Sequence, residues 1–197
     1  RVLRFADLAR ERFRHILLVL GNHEHYDGVF EDSGGLMREG LPGVTVLDNE
    51  TVDVDGVRFF GSTLWTDFSG RNADAMEMVR KGLGEYFFVK VRETGPDGAI
   101  TQRKFWPEDA ANAFAEAWKA LEAVVGEASA KPLVVITHHA PSLQGLNPQH
   151  RGNGLDAAYA NDLDGRIEGI GGVRYWVHGH THIRRRYEIG KTKVLVN

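Results

Sequence analysis

Residues 133–139 read Leu-Val-Val-Ile-Thr-His-His, an apolar run that ends in two histidines. Two other stretches repeat this arrangement: residues 16–25, Ile-Leu-Leu-Val-Leu-Gly-Asn-His-Glu-His, and residues 173–182, Val-Arg-Tyr-Trp-Val-His-Gly-His-Thr-His. Short apolar runs are typical of buried strands, and open α/β sheets gather their ligands at the carboxyl ends of such strands. If the three strands are parallel neighbours, seven of the nine histidines meet in one crevice.

The remaining pattern predicts a layered α/β fold. We expect an amphipathic helix over residues 3–14 and a long helix that begins at Pro107, where apolar residues recur at helical spacing up to Val125. Alternating stretches predict strands between residues 44 and 64 and between residues 185 and 196, with turns such as Asp-Gly between them. No linker rich in Pro, Gly or Ser divides the sequence, so we expect residues 1–197 to form a single domain.

The composition narrows the class of partner. The 24 Lys or Arg and 27 Asp or Glu residues give a net charge of −3, which makes nucleic acid an unlikely partner. The absence of cysteine excludes disulfides and thiolate metal sites and fits a cytoplasmic location, which we predict. The longest apolar runs, of about five residues, are far too short to span a bilayer. Composition leaves the oligomeric state open.

The histidine clusters suit a metal site. Imidazole nitrogens together with amide or carboxylate oxygens suit Zn, Mn, Fe, Co or Ni. In an extended stretch, His180 and His182 would project to the same side of the chain. The alternative is that the clusters are polar loop residues that hydrogen-bond to the backbone. Three clusters at three strand ends favour the shared metal site.

On these residues the sequence resembles the calcineurin-like metallophosphoesterases. The matching blocks are Gly-Asn-His-Glu at residues 21–24, His138 at a strand end and Gly-His-Thr-His at residues 179–182. Residues 63–68 and 155–160 are similar to stretches of a bacterial branch of that family. The resemblance covers residues 16–197. It implies a metallophosphatase-type β-sandwich flanked by helices, with a dinuclear metal site at one end.

The resemblance also implies roles for individual residues. Asn22, His138 and His180 would bind one divalent metal ion, and His182 would bind a second. His23 would be the acid or charge stabiliser beside the leaving group. The implied activity is that of a phosphatase or phosphodiesterase: a metal-bridging hydroxide attacks the phosphorus of a small phosphate ester in line. Manganese is one of the metals that fit, and the identity of the metal stays open.

Two further side chains are candidates for substrate binding. His139 either orients His138, meets the phosphate or is a plain loop residue, and the tandem histidines leave open which of the two is the ligand. We favour His138 because it follows the strand directly, and a strand end positions a ligand better than a loop does. Arg151 follows His150 in a loop rich in Gly and Asn, where it would suit a phosphate oxygen. The alternative for this pair is an exposed loop without a role.

The sequence also departs from the family pattern. The family's opening Asp-x-His and Gly-Asp-x-x-Asp blocks supply most carboxylate ligands, and neither occurs in this sequence. We therefore expect an N-terminally incomplete domain. Glu24, Asp27, Asp156 or Asp162 could in principle substitute as a ligand, although nothing in the sequence marks one of them. Two hypotheses follow. The complete protein is a metallophosphoesterase whose isolated 197-residue chain is weak or inactive, or the chain is a non-catalytic interaction scaffold or inactive fragment on the same fold.

Overall fold

The computed structural model describes residues 2–149, 151–152 and 154–196. The strands in these ranges are β1 Leu17–Val19, β2 Thr45–Leu47, β3 Glu50–Val54, β4 Val57–Ser62, β5 Lys90–Thr94, β6 Ile100–Lys104, β7 Leu133–Thr137, β8 Val173–His178, β9 Arg185–Ile189 and β10 Thr192–Val196. The helices are α1 Val2–Arg10, α2 Phe30–Gly40, α3 Phe68–Arg71, α4 Ala73–Gly82, α5 Glu85–Phe88, α6 Pro107–Gly126, α7 Asp156–Tyr159 and α8 Asp164–Ile170. Two 3₁₀ turns cover Asn22–His25 and Leu143–Gly145.

A six-stranded mixed sheet forms the centre of the fold, with the strand order β3-β4-β7-β8-β10-β9. The four inner strands are parallel and the two edge strands pair antiparallel to them. Phe114 and Trp118 of α6 are buried in one apolar core with Val135 of β7 and Trp176 of β8. Burial of this helix face against the sheet supplies the main apolar contact of the fold. The predicted long helix from Pro107 is confirmed.

A second, smaller layer packs on the main sheet. The strands β1 and β2 form a parallel pair of their own. They meet β4 at Gly61, where an added Cβ would lie 2.4 Å from Leu47 Cβ and 2.9 Å from Val19 Cγ1. Glycine is therefore required at the point where the two layers touch. The predicted α/β architecture, a central sheet flanked by helices, is confirmed.

The relation between the three histidine-bearing strands differs from the prediction. The strands β7 and β8 are parallel neighbours, as expected, but β1 belongs to the second layer and pairs with β2. A strand of three residues carries little local signal about its partner, because pairing is decided by tertiary packing. The end of β1 nevertheless reaches the main sheet, since Thr63 Oγ1 donates to the Leu20 carbonyl at 2.9 Å.

The outer elements complete the chain. The stretch from 71 to 105 forms α4, the short α5 and the β5–β6 hairpin, whose turn contains Asp97 and Gly98. The last two strands, β9 and β10, form the predicted C-terminal hairpin. In the part of the chain that is described, none of the helices combines the length and apolar character needed to cross a bilayer.

Candidate metal centre

The ends of three strands bring three donor atoms to one point. His138, directly after β7, places its Nε2 atom 2.9 Å from Asn22 Oδ1. The same nitrogen lies 3.1 Å from His180 Nδ1, which comes from the segment after β8. All three predicted ligands of the first metal ion therefore converge, although Asn22 is delivered by the smaller layer and the two histidines by the main sheet.

The spacing of these atoms fits a shared metal ion. A ring nitrogen offers either one proton or one lone pair in the ring plane, so His138 Nε2 cannot bond fully to both neighbours. In octahedral coordination at about 2.0–2.1 Å, neighbouring ligands form a right angle at the ion and are about 3.0 Å apart. The separations of 2.9 Å and 3.1 Å match that value. Asn22, His138 and His180 thus fit the coordination of one divalent ion.

Gly21 allows the His138 ring to lie against the backbone of the first block. An added Cβ at Gly21 would be 2.6 Å from His138 Cε1. The Gly21 N–H donates to Glu24 Oε2 at 2.9 Å, which closes the 3₁₀ turn that carries Asn22. Glu24 therefore acts as a cap for this turn.

Burial keeps the central imidazoles neutral. The pKa of His138 falls to about 4, because of burial first and the neighbouring His23 and His182 second. Burial also holds the pKa of His180 well below its usual value, and His138 adds to this effect. The neutral imidazole is the form that binds a metal ion, so little proton release would accompany binding near neutral pH.

The Gly-His-Thr-His block adopts a left-handed backbone, so the extended geometry expected for it is wrong. His180 and His182 have φ angles of +64° and +50°. Thr181 N–H donates to the Gly179 carbonyl at 2.7 Å, which turns the chain tightly directly after β8. Residues other than glycine rarely adopt this region of φ, and such backbone strain is concentrated at functional sites.

The two histidines of this block have different surroundings. The His180 ring is packed between the rings of His139 and Tyr159, with centroid distances of 4.3 Å and 4.6 Å. His182 is exposed. Both border a cavity of about 460 Å³, whose lining residues are Leu146, Asn147, Leu155, Asp156, Tyr159, His180, Thr181 and His182. The centre therefore opens onto a space large enough for a small organic molecule.

The two candidate substrate residues differ in exposure. His139 is buried at 1% exposure, its Nδ1 atom lies 3.1 Å from the Thr63 carbonyl, and its ring stacks on Trp65. This placement favours His138 as the metal ligand and gives His139 the position of a support for His180. Arg151 is exposed on a turn, and the neighbouring His150 lies outside the described residues.

The carboxylates expected to substitute for the missing family ligands are scattered. Asp156 lines the cavity and accepts from the Gly152 N–H at 2.7 Å. Asp27 and Asp162 are exposed. Within the described ranges, no group of three or more His, Asp or Glu side chains is placed to hold an ion. The donor set at the strand ends instead combines two imidazoles with the Asn22 amide.

The sequence analysis missed a buried carboxylate next to Asn22. Glu85 is 5% exposed, and its Oε2 atom accepts from the Tyr26 hydroxyl at 3.0 Å and lies 3.5 Å from Asn22 Nδ2. Burial first, and the Glu85 charge second, raise the pKa of Tyr26, so the hydroxyl remains a donor. An acidic residue among the apolar neighbours Leu83, Tyr86 and Phe87 was the available signal.

The fold agrees with the comparisons to known proteins. The chain belongs to the calcineurin-like phosphoesterase family, whose sequence profile matches residues 1–184. Among its relatives is the uncharacterized protein L509 of Acanthamoeba polyphaga mimivirus, 24% identical over 189 residues, a match that covers 87% of this chain and 63% of the relative. The chain thus spans less than two thirds of that relative's length.

A solved structure shows the same fold. Phosphopantetheinyl hydrolase (PptH) from Mycobacterium tuberculosis superposes with a TM-score of 0.64 at 17% sequence identity, over 99% of this chain and 72% of that chain. At this level of identity the likeness concerns the fold alone.

Proposed function

We propose that the protein containing this chain hydrolyses small phosphate esters at a divalent metal centre. Membership of the phosphoesterase family supports the class of reaction. The observation that carries the proposal is the convergence of Asn22 Oδ1, His138 Nε2 and His180 Nδ1 at spacings of 2.9 Å and 3.1 Å around the shared nitrogen. His182, on the border of the same cavity as His180, is proposed as a ligand of a second ion.

Different side chains would have different roles in the reaction. When bound, divalent ions supply a nucleophile from water at neutral pH and neutralise the phosphoryl oxygens. His23, exposed directly after Asn22 and packed against the Tyr26 ring, would donate a ring N–H proton to the leaving oxygen. His139 would hold His180 in place, and Arg151 would contact a phosphate oxygen from the exposed turn.

The surroundings of the site favour a small substrate. A cavity of about 460 Å³ with apolar walls at Leu146 and Leu155 suits the organic group of a small ester. The net charge of −3 speaks against a nucleic acid. The nitrogen and oxygen donors suit Mn, Fe, Zn, Co or Ni and do not select one of these ions. A single domain and a cytoplasmic location remain predictions.

The test measures metal content and hydrolysis on the same sample. The full-length protein that contains this chain, with its intact mass verified, is stripped with a chelator and titrated with Mn²⁺ or Zn²⁺, and hydrolysis of p-nitrophenyl phosphate and bis(p-nitrophenyl) phosphate is followed. We expect hydrolysis only with metal, its loss in His138→Ala, and its retention in His15→Ala, which alters an exposed histidine. Equal hydrolysis by the metal-free protein, or by His138→Ala, would refute the proposal.

A second function is favoured by one observation. The family's Asp-x-His and Gly-Asp-x-x-Asp blocks, which supply most of its carboxylate ligands, do not occur in residues 1–197, and this favours a non-catalytic interaction scaffold on the same fold. A stable metal-free protein that captures a specific partner and hydrolyses no ester would establish this alternative.

A further inference from the structure

We propose that Glu85 is a positioning residue that turns the Asn22 amide oxygen toward His138 and His180. This inference rests on the proposed metal centre and extends it to a residue outside the three sequence blocks. Glu85 reaches the centre from the start of α5 and contacts Asn22 across 63 positions of the chain.

The chemistry of Glu85 and Asn22 favours one of the two orientations of the Asn22 amide. An ionised carboxylate only accepts hydrogen bonds, whereas an amide presents an acceptor oxygen on one side and an NH₂ donor on the other. With Asn22 Nδ2 3.5 Å from Glu85 Oε2, the oxygen of the same amide faces His138 Nε2 at 2.9 Å. The flipped amide would set its oxygen against the carboxylate and its NH₂ group against the histidine nitrogens, where it could not bind a cation. Glu85 therefore selects the metal-binding orientation.

Two contacts hold Glu85 itself in place. The side chain is 5% exposed, and the Tyr26 hydroxyl donates to its Oε2 atom at 3.0 Å. The hydroxyl can come this close because the preceding residue is Gly84, where an added Cβ would lie 2.6 Å from Tyr26 Oη. Oε2 thus accepts from the Tyr26 hydroxyl and faces the Asn22 NH₂ group. A buried side chain with a fixed partner has little freedom to move away.

Glu85 also bears on the charge of the centre. The ligands Asn22, His138 and His180 are all neutral, which is a poor match for a divalent cation. A buried carboxylate one side chain away from the ion offsets part of that charge, and partners of this kind orient ligands and raise metal affinity. The orientation of Asn22 and the negative charge of Glu85 would both raise the affinity for a divalent ion.

Three variants separate positioning from simple packing. Glu85→Gln keeps the shape and an acceptor for Tyr26, but its amide accepts either orientation of Asn22. Tyr26→Phe removes the other donor to Glu85 and leaves the carboxylate. Glu122→Gln controls for the substitution itself, because it neutralises an exposed carboxylate on α6 that accepts from Trp118 Nε1.

The first measurement uses the metal-free protein. In wild type, the NOEs of the Asn22 NH₂ protons to the Tyr26 ring should be stronger than those to the His138 ring. Glu85→Gln should weaken or abolish these contacts, while Glu122→Gln should keep them. Wild-type NOEs of the NH₂ group that are stronger to the His138 ring than to the Tyr26 ring would overturn the inference, whether or not the protein binds metal and whether or not Glu85→Gln folds.

The second measurement is the affinity for Mn²⁺ or Zn²⁺ by calorimetry, with the thermal midpoint of each metal-free variant recorded alongside. We expect about a 10–100-fold weaker affinity for Glu85→Gln, a smaller loss for Tyr26→Phe, which removes one contact of Glu85, and an affinity close to wild type for Glu122→Gln. An unchanged affinity in a folded Glu85→Gln variant would overturn the inference and leave the proposed function standing. Failure of wild type to bind any metal would instead defeat the proposed function, with the NOE result still testing the orientation.

Discussion

Replacing Gly61 with Ala should force the two layers of the fold apart. The new Cβ would lie 2.4 Å from Leu47 Cβ, 2.8 Å from Leu47 Cδ1 and 2.9 Å from Val19 Cγ1. Carbon atoms in contact are about 3.5–4.0 Å apart, so the closest pair is more than about 1 Å too near. Leu47 Cβ is attached directly to the backbone and cannot rotate away. On its other side, Gly61 is held in register between Glu50 and Ile136 of the neighbouring strands.

The expected cost lies at the upper end of the range for an overpacked core. We expect the free energy of unfolding to fall by about 3 kcal/mol, measured by urea denaturation of the metal-free protein. Movement of β1 also shifts Asn22 relative to His138, so the affinity for Mn²⁺ should fall in the same variant. Both readouts come from one displacement of the smaller layer.

Gly82→Ala is the matched control, because an added Cβ at the end of α4 meets nothing within 4 Å. There we expect unchanged or slightly increased stability, by up to about 1 kcal/mol. If Gly61→Ala unfolds within about 0.5 kcal/mol of wild type and binds Mn²⁺ equally well, the close contact between the layers is not what the structure indicates.

Three further predictions concern the histidines. His138→Ala removes the nitrogen shared by the other donors, so calorimetry should show a loss of metal affinity larger than the roughly 10–100-fold effect of an outer partner; an affinity near wild type would contradict this role. His23→Ala should lower kcat by about 10²–10⁴-fold with KM little changed, and more for phenyl phosphate than for p-nitrophenyl phosphate, since the poorer leaving group needs the proton more; equal losses on both esters would speak against an acid. Burial lowers the pKa of His25 from 6.5 to about 4. Between these pH values the unfolded chain binds more protons than the folded chain, so the free energy of unfolding falls as the pH falls. The expected loss is about 2 kcal/mol at pH 5. Urea denaturation at pH 7.5 and pH 5.0 should show that His25→Phe reduces this loss, and an identical pH dependence would refute the assignment.

Local sequence patterns predict those helices and strands whose buried face can be read from their own residues. The apolar run of β7 and the helical spacing of α6 define their buried faces without reference to the rest of the chain, and both are confirmed. The partner of β1 depends on contacts with β2 and β4 that no local pattern encodes. The backbone of His180 and His182 also differs from expectation, because a tight turn at Gly179 replaces the extended conformation.

The candidate site also has a part that the sequence predicts and a part that only the structure reveals. The resemblance of the three blocks to the family implies Asn22, His138 and His180 as ligands, and the structure brings their donor atoms together. Glu85 lies in a stretch without clear periodicity, and its contact with Asn22 is visible only once the chain is folded. Supporting residues of this kind are recognised by proximity and burial, which a single sequence does not reveal.

The distribution of the donors along the chain links metal supply to folding. Asn22 and His138 are separated by 116 positions, and His138 and His180 by 42. An ion held by these atoms would close two long loops at once and would bind only the folded chain, so its binding free energy adds to the free energy of unfolding. At a free metal concentration 100 times Kd, that addition is about 2.7 kcal/mol. The metal concentration in the cell would then contribute to how much of the protein is folded.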